Sequence, residues 1–461
     1  MRLNALTGPP TPRGEHARAN DNTFVPAADQ PLSTFAIDVD TASYSLVRRH
    51  LRRQGALPPP DVVRIEELLN AFVYDLAPPT GEHPFAAHVE AAGCPWAPGR
   101  RLVRVALKGR DVDLDRRPRA NLVFLIDVSG SMAPADRLPL VKQALALLVA
   151  QLRPDDRVAI VVYAGASGLV LDSTPLSRRA EVLAALERLE AGGSTNGGAG
   201  IQLAYDVAAR HFVEGGVNRV VLCSDGDWNV GVQRPADLEA LIAEKARGNV
   251  FLTVLGFGMG GYRDATLERL ADRGNGHYAY VDTLAEARRV LVDQLQGTLV
   301  TIAKDVKVQV AFDPARVTAW RLIGYENRLL AARDFDDDRK DAGELGAGHA
   351  VTALYEVEPA PGAAPGPLLT LRLRYKEPEG QASRLLEAAF ADDGRAFDRA
   401  SADLRFAAAV AAFGMVLRES PHRGASTLAL VEDLAGGALG RDPHGQRSEF
   451  LDLVRLARRG Q

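Results

Sequence analysis

Three oxygen-bearing side chains follow a strongly apolar segment in the first half of the chain. Asp127, Ser129 and Ser131 stand at alternating positions directly after the run LVFLI. A run of this kind is typical of a strand buried on both faces, and the residues after it lie at the carboxyl edge of the sheet, where α/β proteins bind ligands. A carboxylate with two hydroxyls offers hard oxygen donors, which suit a hard cation.

Two further segments carry donors to the same edge of the predicted sheet. Thr195 lies in the loop AGGSTNGG just before a predicted helix, and Asp225 follows the apolar strand VVLCS. Loops at the carboxyl ends of parallel strands can converge on one point, here with two carboxylates and three hydroxyls. Because the set contains no imidazole or thiolate, it predicts an octahedral site for Mg²⁺ or Mn²⁺ rather than Zn²⁺, with waters completing the coordination.

The alternative to a metal site is an ordinary turn. Asp and Ser after a strand commonly form turns or cap helices, so the D-x-S-x-S pattern alone leaves both interpretations open. Thr195 and Asp225 at matching positions favour the metal site. A second strand end, FAIDVDTASY, resembles a phosphotransfer nucleophile pattern, but Thr41 comes one residue too early after Asp38 and Asp40. We expect these residues to cap the following helix.

The elements that position these donors alternate regularly between strand and helix from residue 122 to about residue 299. This alternation predicts a doubly wound, mostly parallel sheet of the α/β class. On either side, segments such as RLVRVALKG and AVTALYEVE show the two-residue period of half-buried antiparallel strands. We predict that these flanking strands join into one β-sandwich with the α/β unit inserted between them, and that the chain ends in helices.

Composition excludes several functional classes. A chain of 461 residues is too long for one ordinary core, and its net charge of −4 provides no field for nucleic acid or an anionic membrane. Only Cys94 and Cys223 occur, so a disulfide framework is not expected. No apolar stretch approaches the roughly 18 residues that suggest a spanning helix, so direct membrane insertion is not expected either.

Taken together, the five donors resemble the metal-ion-dependent adhesion site of von Willebrand factor type A domains. The matching pattern is Asp127-x-Ser129-x-Ser131 with Thr195 and Asp225. Beyond that domain, the segments FAIDVDTASY, RIEELLNAF, GGSTNGGAGIQLAY, RLIGYENRLLAARDF and RFAAAVAAFG are similar to the bacterial YfbK-type group of these proteins. The resemblance covers nearly the whole chain from about residue 22.

The resemblance and the residue patterns together predict five regions. They are a flexible lead-in at 1–30, an N-terminal flank at 31–118, the type A domain at 119–299, a β segment at 300–380 that completes the sandwich, and a helical region at 381–461.

The resemblance implies a receptor for acidic groups. Ser129, Ser131 and Thr195 would be direct or near-direct ligands of the cation, and Asp127 and Asp225 would often act through water. One open position would accept an Asp or Glu from a partner protein. We therefore expect a non-enzymatic, metal-dependent binding module with no nucleic-acid partner. The alternatives are a metal-dependent hydrolase or phosphotransfer enzyme and a structural scaffold with a silent metal site.

Localisation follows from the start of the chain. Members of the resembling group often begin with an export or lipoprotein signal, whereas this start, MRLNALTGPPTPRGEHARAND, has no apolar region of that kind. We expect a cell-envelope protein if a signal is missing from this chain, and a cytoplasmic protein otherwise.

Overall fold

The computed structural model describes residues 21–113, 115–165, 167–193, 197–226, 235–258, 264–340 and 342–460. Four of the five predicted donors, Asp127, Ser129, Ser131 and Asp225, belong to these ranges. Thr195 lies outside the described residues, as does the part of the predicted lead-in up to residue 20.

The N-terminal flank combines short helices with strands. Its elements are β1 (Val25–Pro26), β2 (Leu32–Ala36), α1 (Ala42–Arg49), α2 (Ile65–Asn70), β3 (Phe85–Gly93) and β4 (Arg101–Gly109).

The α/β unit follows in chain order. Its elements are β5 (Ala120–Asp127), α3 (Leu138–Gln151), β6 (Arg157–Tyr163), β7 (Ser167–Pro175), α4 (Arg179–Glu187), α5 (Gly197–Arg210), β8 (Val217–Ser224), α6 (Pro235–Arg247), β9 (Phe251–Phe257), α7 (Asp264–Arg273), β10 (Tyr278–Val281), α8 (Leu284–Arg288) and α9 (Leu295–Leu299).

The C-terminal part holds the remaining strands and then three helices. They are β11 (Thr301–Phe312), β12 (Val317–Ile323), β13 (Gly343–Gly346), β14 (Ala350–Pro359), β15 (Gly366–Lys376), β16 (Ser383–Asp392), α10 (Ala402–Leu417), α11 (Leu428–Gly436) and α12 (Gln446–Arg459).

The strands of the α/β unit form one mostly parallel sheet. Within the described residues the strand order is β10-β9-β8-β5-β6-β7, and every neighbouring pair is parallel except β6 and β7. This arrangement confirms the predicted doubly wound class. The antiparallel edge strand β7 was not predicted, because its segment SGLVLDSTP follows β6 after only three residues.

Helices cover both faces of this sheet. Alternate side chains of a strand point to opposite faces, and β5 is apolar on both. Leu122, Phe124 and Ile126 pack in one core with residues of α3 and α4. Val123 and Leu125 pack in another core with residues of α5, α6 and α7. The near-continuous apolar run in the sequence follows from this two-sided burial.

The flanking strands join across the inserted unit, as predicted. The strand β4 from before the insert pairs with β14 from after it, and β2 pairs with β11 in the same way. The resulting antiparallel sheets share one core. In that core Phe312 stacks on Trp320 with ring centroids 5.5 Å apart, and Tyr355 approaches Phe312 edge-on at 5.3 Å.

Two segments differ from the prediction. Residues 21–30 were assigned to the flexible lead-in, but β1 pairs with β12, and Asp21 forms an ion pair of 2.7 Å with Arg418. Residues 383–392 were assigned to the helical region, but they form β16, which extends the sheet beside β15. The segment LLEAAF contains good helix formers, so the pairing with β15 overrides its local preference.

No helix in the described part of the chain is both long enough and apolar enough to cross a bilayer. Both cysteines are buried and unbridged.

Candidate metal centre

The central strand of the sheet delivers the first donor. All eight residues of β5 are buried, and Asp127 is the last of them, opposite Tyr163 at the end of β6. The two neighbours of β5, β6 and β8, run parallel to it, so all three strands end at the same edge. The Asp127 carboxylate is therefore fixed at the middle of the carboxyl edge.

The loop after β5 brings the two serines to Asp127. The Ser129 backbone N–H donates to Oδ1 of Asp127 at 2.9 Å. The hydroxyl oxygens of Ser129 and Ser131 are 2.9 Å apart. Ser129 is buried and Ser131 is partly exposed, so the hydroxyl pair leads from the interior towards solvent.

A second loop is held against the first one. The Gly130 N–H donates to the Gly193 carbonyl at 3.0 Å, and the Gly192 N–H donates to the Val128 carbonyl at 2.7 Å. Gly193 precedes Thr195 by two residues. The described chain is therefore held against the serine loop up to Gly193.

The end of β8 supplies the second carboxylate. Asp225 is buried directly after the strand, and its Oδ2 accepts from Nη1 of Arg137 at 2.6 Å. The preceding residue also faces the site, because the Ser224 hydroxyl donates to Oδ2 of Asp127 at 3.4 Å. The predicted donors Asp127, Ser129, Ser131 and Asp225 are thus brought to one edge of the sheet.

Sequence reasoning missed three residues around these donors. Arg137 belongs to no motif, Ser224 was taken as part of an apolar strand, and Tyr163 lay inside the apolar run RVAIVVYA. The only signal in the sequence was that Tyr163 and Ser224 end strands that neighbour β5. Strand neighbours share an edge, so the polar residues at their ends become candidates once the strand order is known.

Burial dominates the electrostatics of Asp127. Loss of hydration raises the pKa of Asp127 above its ordinary value, and the Asp225 charge acts in the same direction, whereas the hydrogen bonds from Ser129 oppose the rise. Burial, together with the negative charge of Asp127, raises the pKa of Tyr163 well above 10. The Tyr163 phenol therefore stays protonated and interacts with Asp127 and Ser224 as a neutral group.

The donor chemistry fits a hard divalent cation. The described donors are carboxylate and hydroxyl oxygens, and among the described residues no three His, Cys, Asp or Glu side chains are grouped as a metal site. A site built here would depend on the serine hydroxyls as much as on the carboxylates. Such oxygen ligands suit Mg²⁺ and Mn²⁺, which also retain bound water.

The second aspartate-rich strand end has a different role from the one expected. Thr41 precedes α1 but makes no side-chain capping bond. Asp38 and Asp40 instead face Arg328, at 3.3 and 3.4 Å, and Asp40 also accepts from the Tyr278 N–H at 2.7 Å. The cap interpretation is therefore wrong.

Arg328 also pairs with Glu268 at 3.6 Å and with Asp272 at 3.0 Å. We call Asp38, Asp40, Glu268, Asp272 and Arg328 the junction cluster, because they join the N-terminal flank, the α/β unit and the C-terminal strands.

Comparison with family models divides the chain into three matched parts. Residues 11–104 match the model described as von Willebrand factor, and residues 121–295 match the von Willebrand factor type A domain. Residues 297–365 and 358–459 match the C-terminal model of the uncharacterized protein YfbK.

Individual proteins and structures are also similar to this chain. The chain is 42% identical to the uncharacterized protein YfbK of Escherichia coli, over 98% of this chain and 82% of that protein. It is 28% identical to human inter-alpha-trypsin inhibitor heavy chain H4, over 42% of this chain and 21% of that protein. A von Willebrand factor type A structure from Catenulispora acidiphila superimposes with a TM-score of 0.45 at 18% identity, over 82% of this chain and 90% of that one.

Proposed function

Because the chain belongs to the family of the uncharacterized protein YfbK, with a von Willebrand factor type A domain at its centre, we propose that it is a non-enzymatic, metal-dependent protein-binding module. In this proposal Mg²⁺ or Mn²⁺ sits at the carboxyl edge of the central sheet. An Asp or Glu from a partner protein supplies one of its ligands.

The arrangement of hydroxyls and carboxylates carries the proposal. The hydroxyl oxygens of Ser129 and Ser131 lie 2.9 Å apart, beside a buried carboxylate whose Oδ1 is already held by a backbone N–H at 2.9 Å. Ser129, Ser131 and Thr195 would contact the cation, and Asp127 and Asp225 would balance its charge through water. A cation held mainly by neutral hydroxyls keeps much of its positive charge. It therefore attracts a carboxylate from outside.

The contacts of the titratable groups favour binding over catalysis. Asp127 accepts from Ser129, Asp225 accepts from Arg137, and the raised pKa of Tyr163 keeps its phenol protonated. A general base must be free to take a proton from a bound substrate or water. Asp127, Asp225 and Tyr163 instead interact with neighbouring residues of the site.

Titration of Mn²⁺ and Mg²⁺ into metal-stripped protein tests the metal site. Asp127→Asn keeps the size of the side chain but removes its charge, and Thr195→Ala removes one hydroxyl. Asp136→Asn is the matched control, because Asp136 lies on the same loop and pairs with Arg53 at 3.0 Å. We expect one saturable site in the wild type and in the control, lost in the other two variants. A wild-type protein that takes up no cation would refute the proposal.

The partner step is tested with the same proteins. Wild type and Asp127→Asn are immobilised with Mn²⁺ or with chelator, and bound proteins are identified from an extract of the source cells. We expect a partner that is retained by the wild type only with Mn²⁺, and whose own Asp or Glu substitutions abolish retention. Turnover of a phosphate ester by the wild type, absent from Asp127→Asn, would instead favour the enzyme alternative.

A further inference from the structure

One cationic side chain reaches into the metal centre from the start of helix α3. The guanidinium of Arg137 donates through Nη1 to the Ser131 carbonyl at 2.5 Å and to Oδ2 of Asp225 at 2.6 Å. Through Nη2 it donates to the Gly258 carbonyl at 3.3 Å. A single side chain therefore connects the loops after β5, β8 and β9.

The backbone at Gly258 is shaped to admit this side chain. Gly258 has φ of +58°, and a Cβ built there would lie 2.3 Å from Cγ of Arg137. Real Cβ atoms do not come so close to another carbon, so an alanine at this position would displace Arg137. The positive φ and the close approach both require glycine.

The ion pair with Asp225 is shielded from water on one side. The side chain of Asp225 is 2% exposed, whereas that of Arg137 is 25% exposed. A carboxylate so poorly hydrated needs a positive partner, and the charge of nearby Asp127 increases that need. Arg137 supplies that positive charge on a planar guanidinium group with several N–H donors.

We propose that Arg137 is an internal cation that competes with the divalent metal for Asp225, and thereby weakens metal binding and keeps it exchangeable. The inference rests on the proposed function. A cation at the serine hydroxyls and the guanidinium on Asp225 are both stabilised by the negative charge of that carboxylate. Because both are positive, they also repel each other. The factor by which the arginine weakens the metal's hold equals the factor by which the metal weakens the arginine's hold on Asp225, because such coupling is reciprocal.

Titration of Mn²⁺ into metal-stripped Arg137→Gln tests the competition. We expect about tenfold tighter binding than in the wild type, which is a typical size for coupling between two ligands. The matched control is Arg53→Gln, because it removes one positive charge from a neighbouring exposed pair, Arg53 with Asp136 at 3.0 Å. The control should bind Mn²⁺ as the wild type does.

Gly258→Ala provides a second route to the same result. It leaves the arginine in the chain but pushes it off Asp225, so it too should tighten Mn²⁺ binding. This variant keeps the inference testable if Arg137→Gln does not fold. Equal or weaker Mn²⁺ binding in the variants that fold would overturn the competition and make Arg137 a structural brace.

Thermal unfolding gives a readout that does not depend on a binding isotherm. In chelator, Arg137→Gln leaves Asp225 without this partner, and its melting temperature should fall by about 3 °C. Saturating Mn²⁺ should remove that difference by supplying the missing positive charge. A difference that persists at saturation contradicts the exchange of one cation for the other.

Failure of the proposed function and failure of the inference give different results. If neither wild type nor variants take up Mn²⁺, both are wrong. If the wild type binds Mn²⁺ and the variants bind it no more tightly, only the competition is wrong.

Discussion

Two strand ends in this protein have nearly the same sequence and different surroundings. FAIDV ends at the junction cluster, and FLIDV ends at the proposed metal centre. At the junction, Asp38 and Asp40 meet a partly buried arginine that also pairs with two acids of α7. At the metal centre, Asp127 meets a backbone N–H and serine hydroxyls. Spatial neighbours, and not the local motif, decide what a strand-end aspartate does.

The comparison extends to the arginine in each place. Arg328 faces four carboxylates between packed parts of the chain, and three of these side chains are at most 6% exposed. Arg137 is one-quarter exposed and faces one carboxylate at the edge of the sheet, where the proposed metal ion would offer the same charge. Removing the arginine should therefore destabilise the junction permanently, whereas at the metal centre a cation should reverse the loss.

The largest effect is expected from Arg328→Gln. Four carboxylates, three of them buried, would lose their shared counter-ion, and the free energy of unfolding should fall by about 3–5 kcal/mol. Mn²⁺ should not restore it. Chemical denaturation measures the loss in the free energy of unfolding, and repeating it with Mn²⁺ shows whether the metal restores stability.

Arg372→Gln is the matched control for Arg328→Gln. Arg372 pairs with Glu387 at 2.9 Å, and both side chains are more than two-fifths exposed. An exposed pair of this kind contributes less than about 1 kcal/mol. If Arg328→Gln were no more destabilising than this control, the junction cluster would not hold the parts of the chain together.

A smaller effect is expected from the buried acid Glu66 in α2, which lies beside the junction cluster. Burial raises the pKa of Glu66 to about 8, and the charges of Glu326 and Asp38 add to the rise. The folded form therefore holds a proton that the unfolded chain releases above about pH 4.5. Since the folded state binds more protons, stability must fall as the pH rises from about 5 to 8.

Glu66→Gln should remove that loss. The variant should match the wild type near pH 5 and exceed it by roughly 3.5 kcal/mol at pH 8, in denaturation curves measured at both values. Glu387→Gln, on the exposed face of β16, should keep the wild-type dependence on pH. A Glu66→Gln variant that loses stability with rising pH as steeply as the wild type would show that other groups cause the slope.

Sequence patterns predicted the parts of the fold that depend on local order. The alternation of strand and helix periods predicted the α/β class. The two-residue period on both flanks predicted a sandwich interrupted by the insert, and the pairing of β4 with β14 confirms that prediction. Four of the five predicted donors lie at one edge because the position of a residue after a strand fixes its place in a parallel sheet. Whether they bind a metal stays a prediction.

The contacts that sequence patterns missed are those between distant residues. Arg328 reaches Asp38 across 290 positions, and Tyr278 reaches Asp40 across 238. No local period records such a pairing, so the FAIDVDT segment resembled a helix cap. The same reason hid Arg137, whose partner Asp225 is 88 positions away. Strand β16 was missed for a related reason, because its pairing with β15 outweighs the helix preference of its own residues.

The smallest effect is expected behind the metal centre, from Tyr163→Phe. Tyr163 is fully buried opposite Asp127 on the neighbouring strand, and its phenol interacts with that carboxylate and with Ser224. Removing the hydroxyl takes away one polar partner, which should weaken Mn²⁺ binding a few-fold and cost about 1 kcal/mol of stability. Tyr205→Phe is the matched control, because Tyr205 is equally buried but the charge that acts on its phenol is that of Arg219 and not that of Asp127. Equal Mn²⁺ affinities in the two variants would mean that Asp127 is positioned by Ser129 and Ser224 alone. The proposed metal centre, unlike the junction cluster, would then need no contact from the neighbouring strand.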